Sequence, residues 1–374
     1  MCLFKKPLIN FYMQLLLLFT YRTFNFRFNK INPARTASIL LPVISFLISI
    51  QEIYPNPLDL SFEVGRNSGK YIEETGQKTA NNLNGFSGGS RITYPRNFTY
   101  FGIGINWYLR KFELISKFRA VEGMKNTGTG RDEDFYLDQF STAKGAKIAI
   151  HEGKFYDSAH TFTGTRNFAD AKGTMSLKEY SVQPAVRYYF KSDPHLNGGF
   201  FLQAGYNYTF SFYRMDDIVQ YLEPPIDQEK SIYYIPGKVL TLSVNSHEYL
   251  LGAGYRLQRK LWSLEFSFIP LLSYSESRDR HVLRFINFFI QTEGSGFLLS
   301  TKFSLYASDS LFFGIEYLSH RNYQYGTINS RGGVTPEDII SNFLGPGKIY
   351  MNLKEASVNL SVTKRFFQTS VKEN

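Results

Sequence analysis

From Leu58 onward the chain alternates apolar and polar residues with a period of two. Leu58, Leu60, Phe62 and Val64 alternate with Asp59, Ser61 and Glu63, and Ile103, Ile105, Trp107 and Leu109 with Gly104, Asn106 and Tyr108. The beat continues through Leu202–Phe212, with apolar or aromatic residues at even positions. It returns at Trp262, Leu264, Phe266 and Phe268, set against Ser263, Glu265 and Ser267, and again at Ala356, Val358, Leu360 and Val362. Successive side chains of a strand point to opposite faces, so each segment predicts a strand with one apolar and one polar face. Strands of soluble sandwiches also alternate but usually stop at about five or six residues. These run to about ten or more, the length a tilted strand needs to cross a bilayer.

The pattern predicts ten strands, at about 58–67, 90–109, 112–122, 173–190, 199–213, 239–257, 261–276, 286–306, 310–324 and 350–367. Short turns at Leu109–Lys111, Lys191–Gly199, Gln258–Leu261 and Ala307–Ser310 take turns with long polar loops at about 122–172, 214–238, 275–290 and 324–349. Tight periplasmic turns and long outer loops are the habit of outer-membrane barrels, and an even strand count leaves both termini on the periplasmic side. The expected fold is therefore all-β: a ten-stranded antiparallel transmembrane β-barrel with long extracellular loops. Ten strands enclose an interior that side chains largely fill, which argues against a wide diffusion pore.

Residues 1–52 do not share the pattern. They carry two apolar runs, Met13–Phe19 and Ile39–Ile50, the second preceded by Lys30 and Arg35. That second run has the length of a secretory signal's apolar core and is too short to span a bilayer as a helix. Residues 1–52 are read as an N-terminal extension and export signal, without a clean small-x-small cleavage site, and 53–374 as the barrel. No later stretch is long and apolar enough for a membrane helix.

Composition sharpens this picture in three places. Aromatics make up 17% of residues, with Phe 35 and Tyr 26, while hydrophobics total only 43%, as suits a sheet with one aromatic face. The single cysteine, Cys2, excludes an internal disulfide and a Cys-based metal cluster. The net charge of +10 is scattered rather than massed in a stripe, which fits anionic lipid headgroups at least as well as nucleic acid. Ordinary solubilising charge is the plain alternative.

Two acidic motifs carry candidate chemistry. In Ser277-Arg278-Asp279-Arg280-His281 an acid and an imidazole stand two residues apart, on one face of extended chain. That spacing lets a carboxylate orient a histidine base, although a lone Asp-x-His is weak evidence. Asp132 and Asp134 in Gly130-Arg131-Asp132-Glu133-Asp134 repeat the spacing with two acids. Crowded carboxylates share a proton or grip a water. A solvated acidic loop or a weak calcium site would look the same.

Taken together these motifs resemble the omptins, the outer-membrane endopeptidases of ten-stranded barrel fold, from about Leu58 to Phe367. Ser68-Gly69-Lys70-Tyr71-Ile72-Glu73 is similar to the family's Ser-Gly-x-x-x-Glu, and Gly104-Ile105-Asn106-Trp107 to its Ala-Ile-Asn-Trp. Asp132-Glu133-Asp134 falls on the catalytic Asp-x-Asp, and Asp279-Arg280-His281 on the catalytic Asp-x-His. Asp157-Ser158-Ala159-His160-Thr161-Phe162-Thr163 resembles a further motif, one residue shorter and without its proline. The resemblance implies catalytic roles for Asp132, Asp134, Asp279 and His281, with a water between the pairs as nucleophile and no covalent intermediate. It implies substrate contacts at Glu73 and Ser277, where Ser277 replaces an acid that helps recognise a basic P1 side chain. Tyr206 matches a lipopolysaccharide contact, with Phe210 and Val244 where arginines would stand, so lipopolysaccharide enters as a candidate activator and no other cofactor or metal is expected. His160 is read as structural, and His151, His195, His247 and His320 as surface or interfacial.

The leading expectation is thus a monomeric outer-membrane endopeptidase of the Asp–Asp/Asp–His type. It would face outward, act on peptide or protein substrates and bind outer-membrane lipid but no nucleic acid. A catalytically silent barrel serving as adhesin or host-protein binder, and a small porin, are the alternatives.

Overall fold

The computed structural model describes residues 56–75, 86–138, 147–151, 154–157, 165–222, 231–343 and 346–366. These lie in one compact unit, Asn56–Asn374. The expected export signal, and residues 158–163 with His160, fall outside the described residues.

Along the chain come β1 (Leu58–Thr75), β2 (Phe86–Pro95), β3 (Phe98–Leu109), β4 (Phe112–Ala120), β5 (Lys125–Asp138), β6 (Lys147–His151), β7 (Lys154–Asp157) and β8 (Thr165–Tyr189). After a one-turn helix α1 (Pro194–Asn197) follow β9 (Gly199–Leu222), β10 (Ser231–Gln258), β11 (Trp262–His281), β12 (Ile286–Ser308) and β13 (Leu311–Gly332). A short helix α2 (Pro336–Ser341) then leads to β14 (Gly347–Phe366). β6 and β7 form a separate hairpin, while the other twelve strands make one antiparallel sheet, which β14 closes by pairing with β1. β2 and β3 are successive pieces along one side of β1, and β4 and β5 likewise along β8, so twelve strands make ten staves.

The staves lie where the alternation predicts, but they run further. The segments expected as long loops at 122–172, 214–238, 275–290 and 324–349 are in large part strand, at 125–138, 165–189, 199–222, 231–258, 262–281 and 311–332. The reason is that the inward side of the period-two pattern does not stop at the membrane. Tyr71, Ile92, Leu242, Ile290 and Met351 continue it as apolar residues that pack on one another across the barrel. Pro270 does not break the register of β11 either. It faces outward, and the pairing of β10 with β11 resumes in phase on both sides of it.

Outward and inward faces differ sharply in chemistry. Phe62, Val64, Phe101, Phe266, Phe268, Leu272, Phe313, Ile315, Leu360 and Val362 are exposed on the outside, an apolar band that water would penalise and lipid would accept. On β11 the band ends at Tyr274, beyond which Glu276, Arg278 and Arg280 face outward.

Inside, the lumen is filled by ion pairs. Fully buried Glu113 accepts from Arg256 at 3.0 Å, from Arg187 at 3.3 Å and from the Tyr189 hydroxyl at 2.7 Å. Glu265 binds the same two arginines, at 2.9 and 2.8 Å. Asp59 pairs with Arg365 at 2.7 Å, Glu63 with Arg119 at 2.6 Å and Glu316 with Lys117 at 3.2 Å. Higher up, His320 lies between Glu248 at 2.9 Å and Glu355 at 3.2 Å, and Arg96 joins Glu355 to Glu179. These groups border a cavity of about 110 Å³, the size of a few waters.

His320 and His195, expected as surface or interfacial histidines, are each only 8% exposed. His320 sits on the inward parity of β13, and α1 folds His195 beneath the barrel floor against Tyr108.

Removing one partner of a buried ion network leaves the others uncompensated, at a cost of about 3–5 kcal/mol. Glu113→Ala should therefore lower the temperature at which the folded barrel's fast gel migration is lost, while Glu293→Ala on the exterior should leave it unchanged. Equal transition temperatures for the two variants would contradict a lumen held by these pairs.

Candidate active site

Above the lumen's ion pairs lies an apolar floor. Tyr71 stacks on Tyr213 at 6.1 Å between ring centroids, and Tyr94 tilts against Tyr213 at 5.0 Å. Met175, Met215, Leu240, Leu242, Ile290, Ile349 and Met351 close the layer. The inward-facing polar residues of the next rows stand on this floor, well past the apolar band.

Strand register explains how they meet. Glu73 on β1 lies opposite Ile92 on β2, and Ile92 lies opposite Asp132 on β5, so the two acids share one row. Asp134 is two residues further along the same inner face, opposite Ser90. Arg131 and Glu133 take the other face, where Arg131 binds both Glu133 and Asp170, at 2.8 Å each. On β11 the odd-numbered inward series Ser273, Ser275, Ser277, Asp279 carries the second motif up to the same level.

The Asp279 carboxylate accepts a hydrogen bond from His281 Nε2 at 3.0 Å. In the neutral ring that bond places the proton on Nε2 and leaves Nδ1 with the free lone pair. Phe288 meets the imidazole edge-on at 5.3 Å and fixes its plane. Ser90 Oγ donates to Asp132 Oδ1 at 3.3 Å.

Electrostatics ties the four residues into one cluster. Burial, and then the neighbouring Asp134, push the Asp132 carboxyl up to about 7, against the pull of His281. Burial also raises Asp134, again opposed by His281. Burial alone would depress the His281 imidazole, but the adjoining Asp279 carboxylate outweighs it, helped by Asp132, and holds the ring at about 9. Glu73 is raised by burial and by the charge of Asp279. Each acid motif therefore lies within electrostatic reach of the other.

The structure thus brings Asp132, Asp134, Asp279, His281, Glu73 and Ser277 together. Tyr206 lies apart on β9, its hydroxyl 2.5 Å from His247 Nδ1 and its ring 5.6 Å from that of Tyr249. Four buried oxygens at or just below the cluster, Glu73 Oε2, Tyr94 Oη, Ser277 Oγ and Asp279 Oδ1, have no partner in good hydrogen-bond geometry among the described residues.

Sequence reasoning missed Ser90, Tyr94 and Arg284. Ser90 and Tyr94 belong to a segment with no motif of its own. Arg284, in the turn after β11, is ion-paired to the buried Asp338 of α2, and its charge acts on both Asp134 and His281. Among the described residues, no group of three or more His, Cys, Asp or Glu is arranged to hold a metal ion.

Fold and lining together define an outer-membrane β-barrel whose mouth carries an acid–imidazole cluster. A family model described as "Putative porin" matches residues 79–360, and the chain belongs to that family. No curated protein matches it in sequence. Among solved structures it is similar to the outer membrane protease OmpT from Escherichia coli, at 12% identity and a TM-score of 0.62, over 83% of this chain and 97% of that one. The translocator domain of the autotransporter NalP from Neisseria meningitidis matches at 12% identity over 89% of this chain and 97% of its own, with a TM-score of 0.32. OprG from Pseudomonas aeruginosa matches at 8% identity over 83% and 96%, with a TM-score of 0.29. At such identities the likeness to OmpT establishes the fold alone.

The His281 environment makes a direct prediction. Its imidazole should titrate near 9 rather than at the ordinary 6.5, and Asp279→Asn should bring the titration down, because the largest charge opposing burial is then gone. Carbon-detected NMR of labelled histidine in micelles reads this. An unshifted titration in the variant would sever the two residues.

Proposed function

We propose that this chain is an outer-membrane endopeptidase that hydrolyses peptide bonds with an activated water and no covalent intermediate. The observation that carries the reading is the convergence of Asp132, Asp134, Asp279 and His281 on one inner face above the apolar floor. Neither pair alone would support it.

In this reading a water sits between the two pairs. In its neutral form, the minor one at pH 7 for a ring titrating near 9, His281, oriented by Asp279 through Nε2, takes a proton from that water at Nδ1 as its oxygen attacks the peptide carbonyl carbon. The Asp132/Asp134 pair grips the water and shares one proton, which a carboxyl titrating near 7 can carry at neutral pH. Collapse of the tetrahedral intermediate breaks the C–N bond, and the proton held on His281 passes to the leaving amine. Glu73 at the floor supplies an acidic contact for a basic P1 side chain, while Ser277 contributes a hydroxyl where a second charge would strengthen that preference. An outward-facing mouth would present the site to proteins outside the cell.

Membership in a porin family favours a second reading, solute passage. The filled lumen opposes it: among the described residues the Glu113, Glu265, Arg187 and Arg256 group and the apolar floor both lie across the path.

Two measurements on one refolded preparation separate these readings. A quenched-fluorescence peptide with a basic P1 residue should be cleaved by the wild-type chain. His281→Ala, Asp279→Asn and the double variant Asp132→Ala/Asp134→Ala should each cut kcat/KM by about a hundredfold to ten-thousandfold, while fast gel migration stays intact. Planar-bilayer recording should show no stable open-channel steps. Absence of cleavage with regular conductance steps would give the barrel to transport.

A further inference from the structure

The outward face holds a second constellation that the candidate active site does not use. Lys70 on β1 lies directly opposite Lys354 on β14, and Lys354 directly opposite Arg321 on β13. All three side chains point outward, because their neighbours Tyr71, Glu355 and His320 point in. Three cations thus stand abreast on adjacent strands about 5 Å apart, an arrangement that repels itself unless something anionic covers it. Among the described residues no carboxylate pairs with any of them. Arg66, two outward positions below Lys70, extends the patch and is held by Thr99 Oγ1 at 3.5 Å. Lys354 Nζ sits 5.6 Å above the ring of Tyr323, which keeps the ammonium at the aromatic rim.

The height of the row is informative. Below it on the same three strands come Val64 and Phe62, Val358, Leu360 and Val362, and Tyr317, Ile315 and Phe313, all exposed. The cations therefore mark the upper edge of the apolar band, on the side where the strands rise to Glu73 and the candidate active site. Six to eight residues further down the same strands, about 20–26 Å at the rise of extended chain, the lipid-facing surface is not flat. An apolar groove runs between Phe62, Val64, Phe101, Phe313, Leu360 and Val362, with Gly102 and Gly314 at its base. Cations above and an apolar groove below are complementary to one amphiphile with an anionic head and an acyl tail.

We propose that the β1–β14–β13 wall is a specific binding site for a phosphate-headed lipid of the outer-facing leaflet. Its phosphate is held by Lys70, Lys354 and Arg321, and one acyl chain lies in the groove beneath. Arg and Lys together suit this role: the guanidinium can bind two phosphate oxygens at once while the ammoniums contribute point charge. This wall does not include Tyr206, and the site does not depend on proteolysis.

The test is native mass spectrometry of the full refolded chain, titrated in neutral detergent with dimyristoyl phosphatidic acid, with dimyristoyl phosphatidylcholine, or with inorganic phosphate. Phosphatidic acid should bind in preference to phosphatidylcholine. Lys70→Ala/Lys354→Ala/Arg321→Ala should weaken it by about a hundredfold, and Lys178→Ala on β8 should not. Val362→Trp, which fills the groove and leaves every cation in place, should also weaken it. Fast gel migration verifies that each variant is folded. Should the triple variant fail to fold, Arg321→Gln and the salt dependence of wild-type binding carry the test, with affinity expected to fall in both. Equal affinity in wild type and cation variants, no preference over phosphatidylcholine, or displacement of the lipid by millimolar inorganic phosphate would each overturn the proposal.

Discussion

A closed antiparallel sheet allows each residue only two directions, lipid or lumen, and the rest of this molecule follows from that constraint. Closing β14 onto β1 removes every free strand edge along the band, so no backbone donor is left to meet hydrocarbon unpaired. Because the period is two, the sequence can write one chemistry on each face of the same strand. Outside it writes Phe, Leu and Val; inside it writes Glu, Arg, Ser and Asn, and these charges can be buried because they meet one another across the lumen. A slip of a single residue in β4 or β11 would turn Glu113 or Glu265 toward lipid.

The interior is layered along the barrel. At the bottom Glu113, Glu265, Arg187 and Arg256 neutralise one another, and higher up Glu248, Glu355 and Glu179 share the cations His320 and Arg96. An aromatic floor around Tyr71, Tyr94 and Tyr213 then separates those paired charges from the cluster above. The separation explains why the two acid-rich zones behave differently. In the lower zone every acid has a cation as partner. In the upper one Asp132, Asp134, Asp279 and Glu73 outnumber the cations His281 and Arg284, and burial holds the protons of Asp132, Asp134 and Glu73 more tightly than usual. An excess of buried acid over cation is costly for folding, and such an arrangement is usual where chemistry or binding uses it.

Much of this was legible in the sequence, for a physical reason. The alternation at Leu58–Val64, Trp262–Phe268 and Ala356–Val362 is a record of the two faces, and it located all ten staves. Asp279 and His281 also share the odd numbering of Ser263, Glu265 and Ser267, which face the lumen. What the sequence could not announce was where the strands end, since the inward series passes from charged to apolar residues such as Leu242 and Ile290 without losing its period. Segments that looked like polar loops from their outward residues are therefore strand. Nor could local patterning reveal His320 between two glutamates, or Ser90 beside Asp132, because those contacts join residues far apart in the chain. Row alignment across β1, β2 and β5 depends on the register of the closed sheet, which no single segment encodes.

The convergence of the two acid motifs is most directly measured by the titration of His281 in Asp132→Asn, a substitution made on strands far from β11 in sequence. Asp132 is ionised at the pH where His281 titrates and supports the imidazolium, so removing its charge should lower the His281 titration from about 9. A His281 titration that is identical in wild type and Asp132→Asn would mean that the two motifs do not share a site.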